Sequence, residues 1–107
     1  MVTRQLNSAV WRAVADPTRR AILDLLDQSE LPAGEIAVRF RVSRPAVSRH
    51  LRVLRRARLV RERRAGRERW YRVEPGPLRA MDEWLAHYRA FWSSTLIALK
   101  RHAESKT

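Results

Sequence analysis

The residues with the clearest chemical potential are arginines concentrated in one segment. Between residues 41 and 73, thirteen of 33 positions are arginine, and only Glu62 and Glu68 carry the opposite charge. Residues 39–72 hold fourteen arginines and two glutamates, so this segment alone accounts for the formal net charge of +12 of the whole chain. Such a concentration of guanidinium groups favours a polyanionic partner, either nucleic acid or an anionic membrane surface. The alternative is a solvated basic surface that has no partner.

The rest of the composition limits the class of protein. With 107 residues, of which 45% are apolar, the chain fits one globular domain spanning residues 1–107. Its lack of cysteine excludes disulfides and thiolate metal sites. The first twenty residues lack the apolar core of a signal peptide, and no apolar run is long enough to cross a bilayer. We therefore expect a cytoplasmic protein that does not enter membranes.

Helical periodicity places many of these arginines on a helix-turn-helix. One short helix is predicted over residues 32–40 and a second over residues 44–57, with Ser43 as N-cap and Pro45 in the first turn. The second helix carries an inward stripe of apolar residues four and three positions apart: Val47, Leu51 and Leu54. Two short helices joined by a brief turn form a helix-turn-helix, here over residues 32–57.

A change of period after the second helix predicts a β-hairpin. The segments "LVRERR" and "RWYRV" are rich in valine, aromatic residues and arginine, which is typical of short strands. Gly66 lies between them and can adopt the positive φ that a tight turn needs. A two-stranded hairpin over residues 59–74, directly after the second helix, would be a wing. The predicted fold class is therefore mainly α with a small β-hairpin, a winged helix-turn-helix.

Further helices are predicted on both sides of this unit. Residues 5–15 form one apolar stripe, and Asp16 and Pro17 are a typical N-cap and first residue of the next helix. A long helix over residues 77–103 carries apolar residues that advance by three and four positions: Leu78, Met81, Leu85, Tyr88, Trp92, Thr95 and Leu99. At about 1.5 Å per residue it would be about 40 Å long, more than so small a core requires. We therefore expect a partner helix in a dimer, the alternative being that the stripe covers its own domain.

The outward face of the second helix of the helix-turn-helix indicates what the arginines bind. A helix fits the major groove of B-DNA, where its N-terminal side chains reach base edges and arginine suits guanine. The candidates for base contact are the residues of the first two turns: Arg44, Pro45, Ser48 and Arg49. The candidates for phosphate or minor-groove contact are Arg52 and the arginines of the hairpin: Arg63, Arg64, Arg67 and Arg69. Ser43 joins this DNA-binding set, because backbone N–H groups at a helix start suit a phosphate.

Three arginines near the end of the second helix have a second explanation. Arg55, Arg56 and Arg58 lie toward its C-terminus, where the helix dipole favours cations. We therefore expect some of them to be ordinary helix-end charges.

Three segments of the chain together resemble one known family. In order, "ADPTRRAILDLL", "GEIAVRFRVSRPAVSRHLRVLRRARLV" and "RRAGRERWYRVEPGPL" are similar to the ArsR-type winged helix-turn-helix transcriptional repressors, over roughly residues 9–92. The resemblance implies a homodimer built on the first and last helices, which presents recognition helices and wings to a partly palindromic operator. It also implies base contacts by the four residues already assigned to them. The implied dimer interface draws on both helices: Leu6, Trp11, Met81, Trp84, Leu85, Tyr88, Trp92 and Leu99.

Relatives that sense metals raise the question of a metal site. One site of the family uses a Cys-x-Cys pair, but "LPAGEIAVRF" has Pro32 and Gly34 at the matching positions. The other uses an Asp-x-His pair and a second pair on the last helix, where Trp84 replaces the first histidine. His87 and His102 could still meet across a two-fold axis with acidic neighbours from the same helix: Asp82, Glu83 or Glu104. We expect no metal or other cofactor, and a surface or interface role for both histidines. The terminal helix with "WLAHYRAFW" is similar to an autorepressor-related branch that has no obvious metal site.

The remaining residues allow four further interpretations. His50 is expected to pack or to contact a phosphate rather than to bind a metal. Aromatic residues of the first and last helices could line a small-molecule pocket that gates DNA binding, although core and interface roles are commoner at helical spacing: Trp11, Trp84, Tyr88, Phe91 and Trp92. A basic interaction module for an acidic protein or lipid would use the same charge. Catalysis is not expected, because no nucleophile has a paired base and three glycines cannot supply a nucleotide-binding loop.

Overall fold

The computed structural model describes residues 8–105 and is mostly helical, with one small antiparallel sheet. The elements follow one another in this order: α1 (Ser8–Ala15), α2 (Pro17–Gln28), β1 (Leu31–Pro32), α3 (Ala33–Phe40), α4 (Arg44–Arg56), β2 (Val60–Ala65), β3 (Glu68–Val73) and α5 (Gly76–Ser105). The predicted fold class, with a helix-turn-helix (α3–α4), a wing (β2–β3) and a long terminal helix, is confirmed. The predicted start of the first helix, and with it Leu6, lies outside the described residues.

The two capping signals in the sequence begin the helices where they were predicted. The Asp16 carboxylate accepts a hydrogen bond from the backbone N–H of Arg19 at 2.9 Å, and a proline follows at the start of α2. This bond is the main reason why the pKa of Asp16 is lowered from its ordinary value. The Ser43 hydroxyl accepts from the backbone N–H of Ala46 at 3.2 Å and starts α4. Each bond satisfies a donor that a helix start would otherwise leave unpaired.

A single apolar core holds α4 in place beneath its basic outer face. Val47, Leu51 and Leu54, the stripe predicted from spacing, are each at most 1% exposed. They pack into a cluster with apolar residues from the other elements: Val10, Ala13, Ile22, Leu23, Leu26, Ile36, Ala37, Ala57, Leu59, Val60 and Tyr71. Burying a leucine or isoleucine side chain contributes about 1.5–3 kcal/mol, so this cluster fixes the rotation of α4 about its axis. The basic residues of the helix are thereby directed to the surface.

The sheet differs from the prediction, because it has three strands rather than two. The two-residue strand β1 pairs antiparallel with β3, placing Leu31 opposite Tyr71 and Pro32 opposite Trp70. A segment of two residues is too short to show the alternation of apolar and polar side chains by which strands are recognised in a sequence. Proline is also tolerated in β1 because this strand lies at the edge of the sheet, where an N–H is not needed. The extra strand ties the wing to the start of α3.

Three residues with positive φ mark the turns of this unit. Gly66 has φ 65° at the tip of the wing, as predicted for a tight hairpin turn. Arg41 (φ 54°) ends α3, and Arg58 (φ 61°) lies between α4 and β2. Non-glycine residues rarely adopt a positive φ, so the residue types at these two positions gave no sequence signal of a helix end.

Helix α5 is anchored to the core only by its first turns. Ala80 is buried, and Leu78 and Met81 pack against the core cluster. Every residue from 86 to 105 is exposed, although α5 is 30 residues long. The interpretation that the stripe merely covers its own domain is therefore wrong for this part of the helix. Within residues 8–105, no helix is long and apolar enough to span a bilayer.

Candidate nucleic-acid interface

The predicted base-reading residues lie together on the exposed start of α4. Arg44, Pro45, Ser48 and Arg49 are all exposed, as is Ser43 before them. Within residues 8–105, Arg44, Arg49 and Arg52 take part in no ion pair, so no carboxylate of these described residues neutralises them. The Ser43 hydroxyl, by contrast, is already occupied as the N-cap acceptor.

The wing closes over this helix start and forms a first cleft. The cleft has a volume of about 250 Å³, and its lining brings together residues of α4 and the wing: Arg44, Ser48, Arg67, Glu68, Arg69 and Tyr71. The first turn of α3 completes it at Pro32, Ala33 and Gly34. The Arg44 guanidinium lies beside Gly34, where an added Cβ would be 3.6 Å from Nη1. Four of the predicted DNA-binding residues thus surround one opening, although Arg44 is folded back toward α3.

A second cleft of about 290 Å³ continues along the groove between α4 and the wing. It is lined by basic side chains around one carboxylate and one phenol: Ser48, Leu51, Arg52, Arg55, Glu62, Arg69 and Tyr71. Glu62 contacts Nη1 of Arg55 at 3.1 Å and Nη1 of Arg69 at 3.2 Å. The Tyr71 hydroxyl donates a hydrogen bond to Glu62 Oε2 at 2.7 Å. Burial, followed by this bond, raises the pKa of Tyr71 to about 12, so the phenol is a donor at neutral pH.

The two faces of the wing differ in what their arginines contact. Antiparallel register places Arg64 opposite Arg69 on one face, and Arg63 opposite Trp70 on the other. Arg63 Nε donates to both carboxylate oxygens of Glu30, at 2.9 and 2.8 Å, and its guanidinium carbon lies 5.6 Å from the centre of the Trp70 ring. The hydrogen bond from Arg63 lowers the pKa of Glu30. Arg63 is therefore separated from the other predicted DNA-binding residues, and strand alternation is the sequence signal that could have distinguished the two faces.

The histidines do not converge on a common centre. His50 Nδ1 lies 4.0 Å from Asp16 Oδ2 and 3.5 Å from Arg19 Nη1, so it links α4 to the start of α2 as a packing residue. His87 and His102 are exposed on α5. Among residues 8–105, no group of three or more histidine, cysteine, aspartate or glutamate side chains is placed to hold a metal ion.

Aromatic side chains of α1 and α5 form a continuous ladder. The ring centres of Trp11 and Trp84 are 5.5 Å apart in an edge-to-face arrangement. Tyr88 follows at 4.9 Å from Trp84, and Trp92 at 6.4 Å from Tyr88. Tyr88 and Trp92 are 46% and 52% exposed, values far above those of core residues. The ladder therefore connects the two helices that the resemblance assigns to a dimer interface and leaves much of its surface uncovered.

Comparisons with known proteins identify the family of this chain. Residues 16–62 match the sequence profile of the family described as bacterial regulatory protein, arsR family. The HTH-type transcriptional regulator Rv2034 of Mycobacterium tuberculosis is 42% identical over 106 residues, covering 99% of this chain and 96% of its own length. The transcriptional repressor SdpR of Bacillus subtilis is 37% identical over 79 residues, covering 74% of this chain and 88% of its own.

A solved structure is also similar to this chain. The homodimeric winged helix-turn-helix DNA-binding domain of Mb0332 from Mycobacterium bovis, a possible ArsR-family transcriptional regulator, superposes with a TM-score of 0.64 at 31% identity. The match covers 75% of this chain and 77% of that one. Because these relatives are transcriptional regulators, the prediction that the chain is not an enzyme is confirmed. This chain belongs to the arsR family of bacterial regulatory proteins.

Proposed function

We propose that the protein is a homodimeric repressor that binds promoter DNA in a sequence-specific manner. The observation that carries the proposal is the shared surface of α4 and the wing, where Arg44, Ser48, Arg67 and Arg69 line one cleft. This surface combines a helix start that fits the major groove with a hairpin that reaches the adjacent backbone. Repression is favoured because the relative SdpR is described as a transcriptional repressor.

Within this interface, position determines the role of each residue. Arg44, Pro45, Ser48 and Arg49 at the start of α4 read base edges, where arginine discriminates guanine by two hydrogen bonds. The backbone at Ser43 together with the arginines farther from the helix start contact phosphates: Arg52, Arg64, Arg67 and Arg69. Arg63 is omitted from this set because it binds Glu30 on the opposite face of the wing.

The dimer is proposed to form through α1 and the exposed stripe of α5. Trp11, Trp84 and Tyr88 already bridge the two helices, and the relative Mb0332 is described as homodimeric. The stripe and its flank continue beyond the core through further apolar residues: Phe91, Trp92, Leu96 and Leu99. A two-fold dimer would place its recognition helices about 34 Å apart in successive major grooves, so the operator would be partly palindromic. We further infer that the chain is a single DNA-binding domain that carries its own dimerisation helices and acts in the cytoplasm.

The test is binding of the purified protein to DNA from its own upstream region, compared with random duplex of equal length. Salt titration of both reactions separates base reading from phosphate attraction, because only the latter is common to the two. We expect tight binding that is selective for the upstream fragment and insensitive to zinc, nickel or chelator. Equal, weak binding to both duplexes would overturn the assignment and favour a basic interaction module. Loss of selective binding on adding metal would instead show that α5 holds a metal-sensing site.

A further inference from the structure

The two glutamates of the basic segment have different surroundings. Glu68 lies at the tip of the wing, is exposed, and makes no ion pair within the described chain. The Glu62 side chain is only 19% exposed and lies at the floor of the second cleft, in contact with Arg55, Arg69 and Tyr71. A carboxylate inside a surface that binds a polyanion would weaken binding by repulsion unless it had another role. Its three contacts indicate what that role is.

Glu62 connects the recognition helix to the wing. Arg55 belongs to α4, Arg69 and Tyr71 to β3, and Glu62 itself to β2. Each arginine offers Glu62 one Nη donor, which leaves the other N–H groups of its guanidinium for a second acceptor. The Tyr71 hydrogen bond holds the carboxylate in place, since tyrosine is 8% exposed and remains protonated. Arg55 is therefore more than a helix-end charge, because its guanidinium is held across the groove.

We propose that Glu62 is a positioning residue that holds Arg55 and Arg69 on opposite sides of this groove, where with Arg52 they bind one phosphate of the DNA backbone. Three guanidinium groups surround one carboxylate, so the cleft keeps a net positive charge. Its volume of about 290 Å³ is open to solvent and accommodates a phosphate group. Charge-assisted hydrogen bonds from arginine to phosphate are strong and directional when the guanidinium is oriented beforehand. This inference rests on the proposed DNA-binding function and adds Glu62, Tyr71 and Arg55 to it.

Comparison of Glu62→Gln with Glu68→Gln tests the proposal, because charge and positioning predict opposite signs. Both variants remove one negative charge from the same wing. Glu68→Gln should strengthen binding to upstream and random duplex alike, by roughly twofold for a charge about 10 Å from a phosphate in water. Glu62→Gln should instead reduce binding to the upstream duplex by about tenfold, which corresponds to about 1.4 kcal/mol. A Glu62→Gln protein that binds both duplexes as tightly as Glu68→Gln would overturn the proposal.

Two further variants and one control variant keep the test informative if Glu62→Gln proves unstable in a thermal melt. Tyr71→Phe removes the hydroxyl that holds Glu62 without changing charge, and it should weaken DNA binding in the same direction as Glu62→Gln by a smaller factor. Arg55→Gln should lower the slope of log affinity against log salt by about one unit, as expected for one lost phosphate contact. Arg56→Gln, the neighbouring exposed arginine with no contact to Glu62, should leave more of the slope intact. Equal slopes for these two variants would refute the phosphate contact, whereas an unselective wild-type protein would refute the proposed sequence-specific DNA binding.

Discussion

The apolar residues of the region from α2 to β3 and those of helix α5 both follow the spacing of regular secondary structure. They differ in burial, because the first set packs into the core whereas much of the second set is exposed. In α4 the predicted stripe of Val47, Leu51 and Leu54 is fully buried against neighbouring elements. In α5 the equivalent stripe is exposed from residue 86 onward, with Phe91 at 66% and Leu99 at 60%. The difference lies in the surroundings, because no other element of residues 8–105 extends beside the second half of α5.

The apolar face of α4 is covered by other elements of the same chain, whereas the exposed stripe of α5 needs a second chain to cover it. Contiguous exposed apolar patches on soluble proteins mark interaction sites, whereas isolated exposed side chains do not. The ladder of Trp84, Tyr88 and Trp92 is contiguous and starts at the core, so a partner helix would extend an existing packing arrangement. The arginines at the start of α4 also need a partner outside the chain, because no carboxylate of the described residues pairs with them.

The largest effect is expected from placing a charge in the exposed stripe. Trp92→Glu should weaken the homodimer by at least about 3 kcal/mol, roughly a hundredfold or more, because aromatic anchors dominate interfaces and the change occurs in both subunits. Sedimentation velocity over a range of concentrations measures this shift, and operator binding should be lost with the dimer. The matched control is Ala90→Glu, which introduces the same charge on the exposed face opposite the stripe. Equal dissociation of the two variants, or none for Trp92→Glu, would remove α5 from the interface.

The next effect concerns the base-reading surface. Arg44→Ala should weaken binding to the selected duplex by roughly 1–3 kcal/mol and relax sequence preference, because a bidentate arginine–guanine contact carries discrimination. Competition binding with single-base variants of the operator measures the preference directly. The Arg44 guanidinium lies beside Gly34 in the structure, so base contact requires it to extend away from α3. Equal losses on specific and random duplexes would make Arg44 a phosphate contact.

Much of the fold could be predicted because short local signals determine it. Asp16 and Ser43 cap their helices through hydrogen bonds to residues three positions away, and periodicity identified the buried face of α4. Strand β1 was missed because two residues carry no pattern, and its pairing with β3 is a long-range contact.

The candidate site was predicted less completely for a similar reason. Composition identified the arginines as a group, but the pairing of Arg63 with Glu30 joins residues 33 positions apart. The contacts of Glu62 with Arg55, Arg69 and Tyr71 likewise depend on the angle between the wing and α4. Residue type and spacing indicate which side chains can bind an anion, whereas the contacts within the chain determine which of them are already bound. Arg63 and Arg67 illustrate this, because they are the same residue type in the same hairpin.

The smallest effect should separate those two arginines. Arg67 lines the first cleft and has no ion pair within the described residues, so Arg67→Ala should weaken binding to all duplexes similarly and lower the salt slope by about one unit. Arg63→Ala should leave that slope unchanged and lower the melting temperature instead, because it removes the partner of Glu30 and the contact with Trp70. Binding isotherms at several salt concentrations and thermal melts of both variants provide the comparison.

The pH dependence of stability tests the same contrast from the side of Glu30. Because the folded-state pKa of this carboxyl is lowered below its ordinary value of 4.5, its pair with Arg63 stabilises the fold above that pH. The contribution is lost as the pH falls through the lowered value, so the difference in melting temperature between wild type and Arg63→Ala should shrink in acid. Arg67→Ala should melt like the wild type at every pH. A reduced salt slope for Arg63→Ala would show that Arg63 leaves Glu30 for the DNA, and that both faces of the wing bind phosphate.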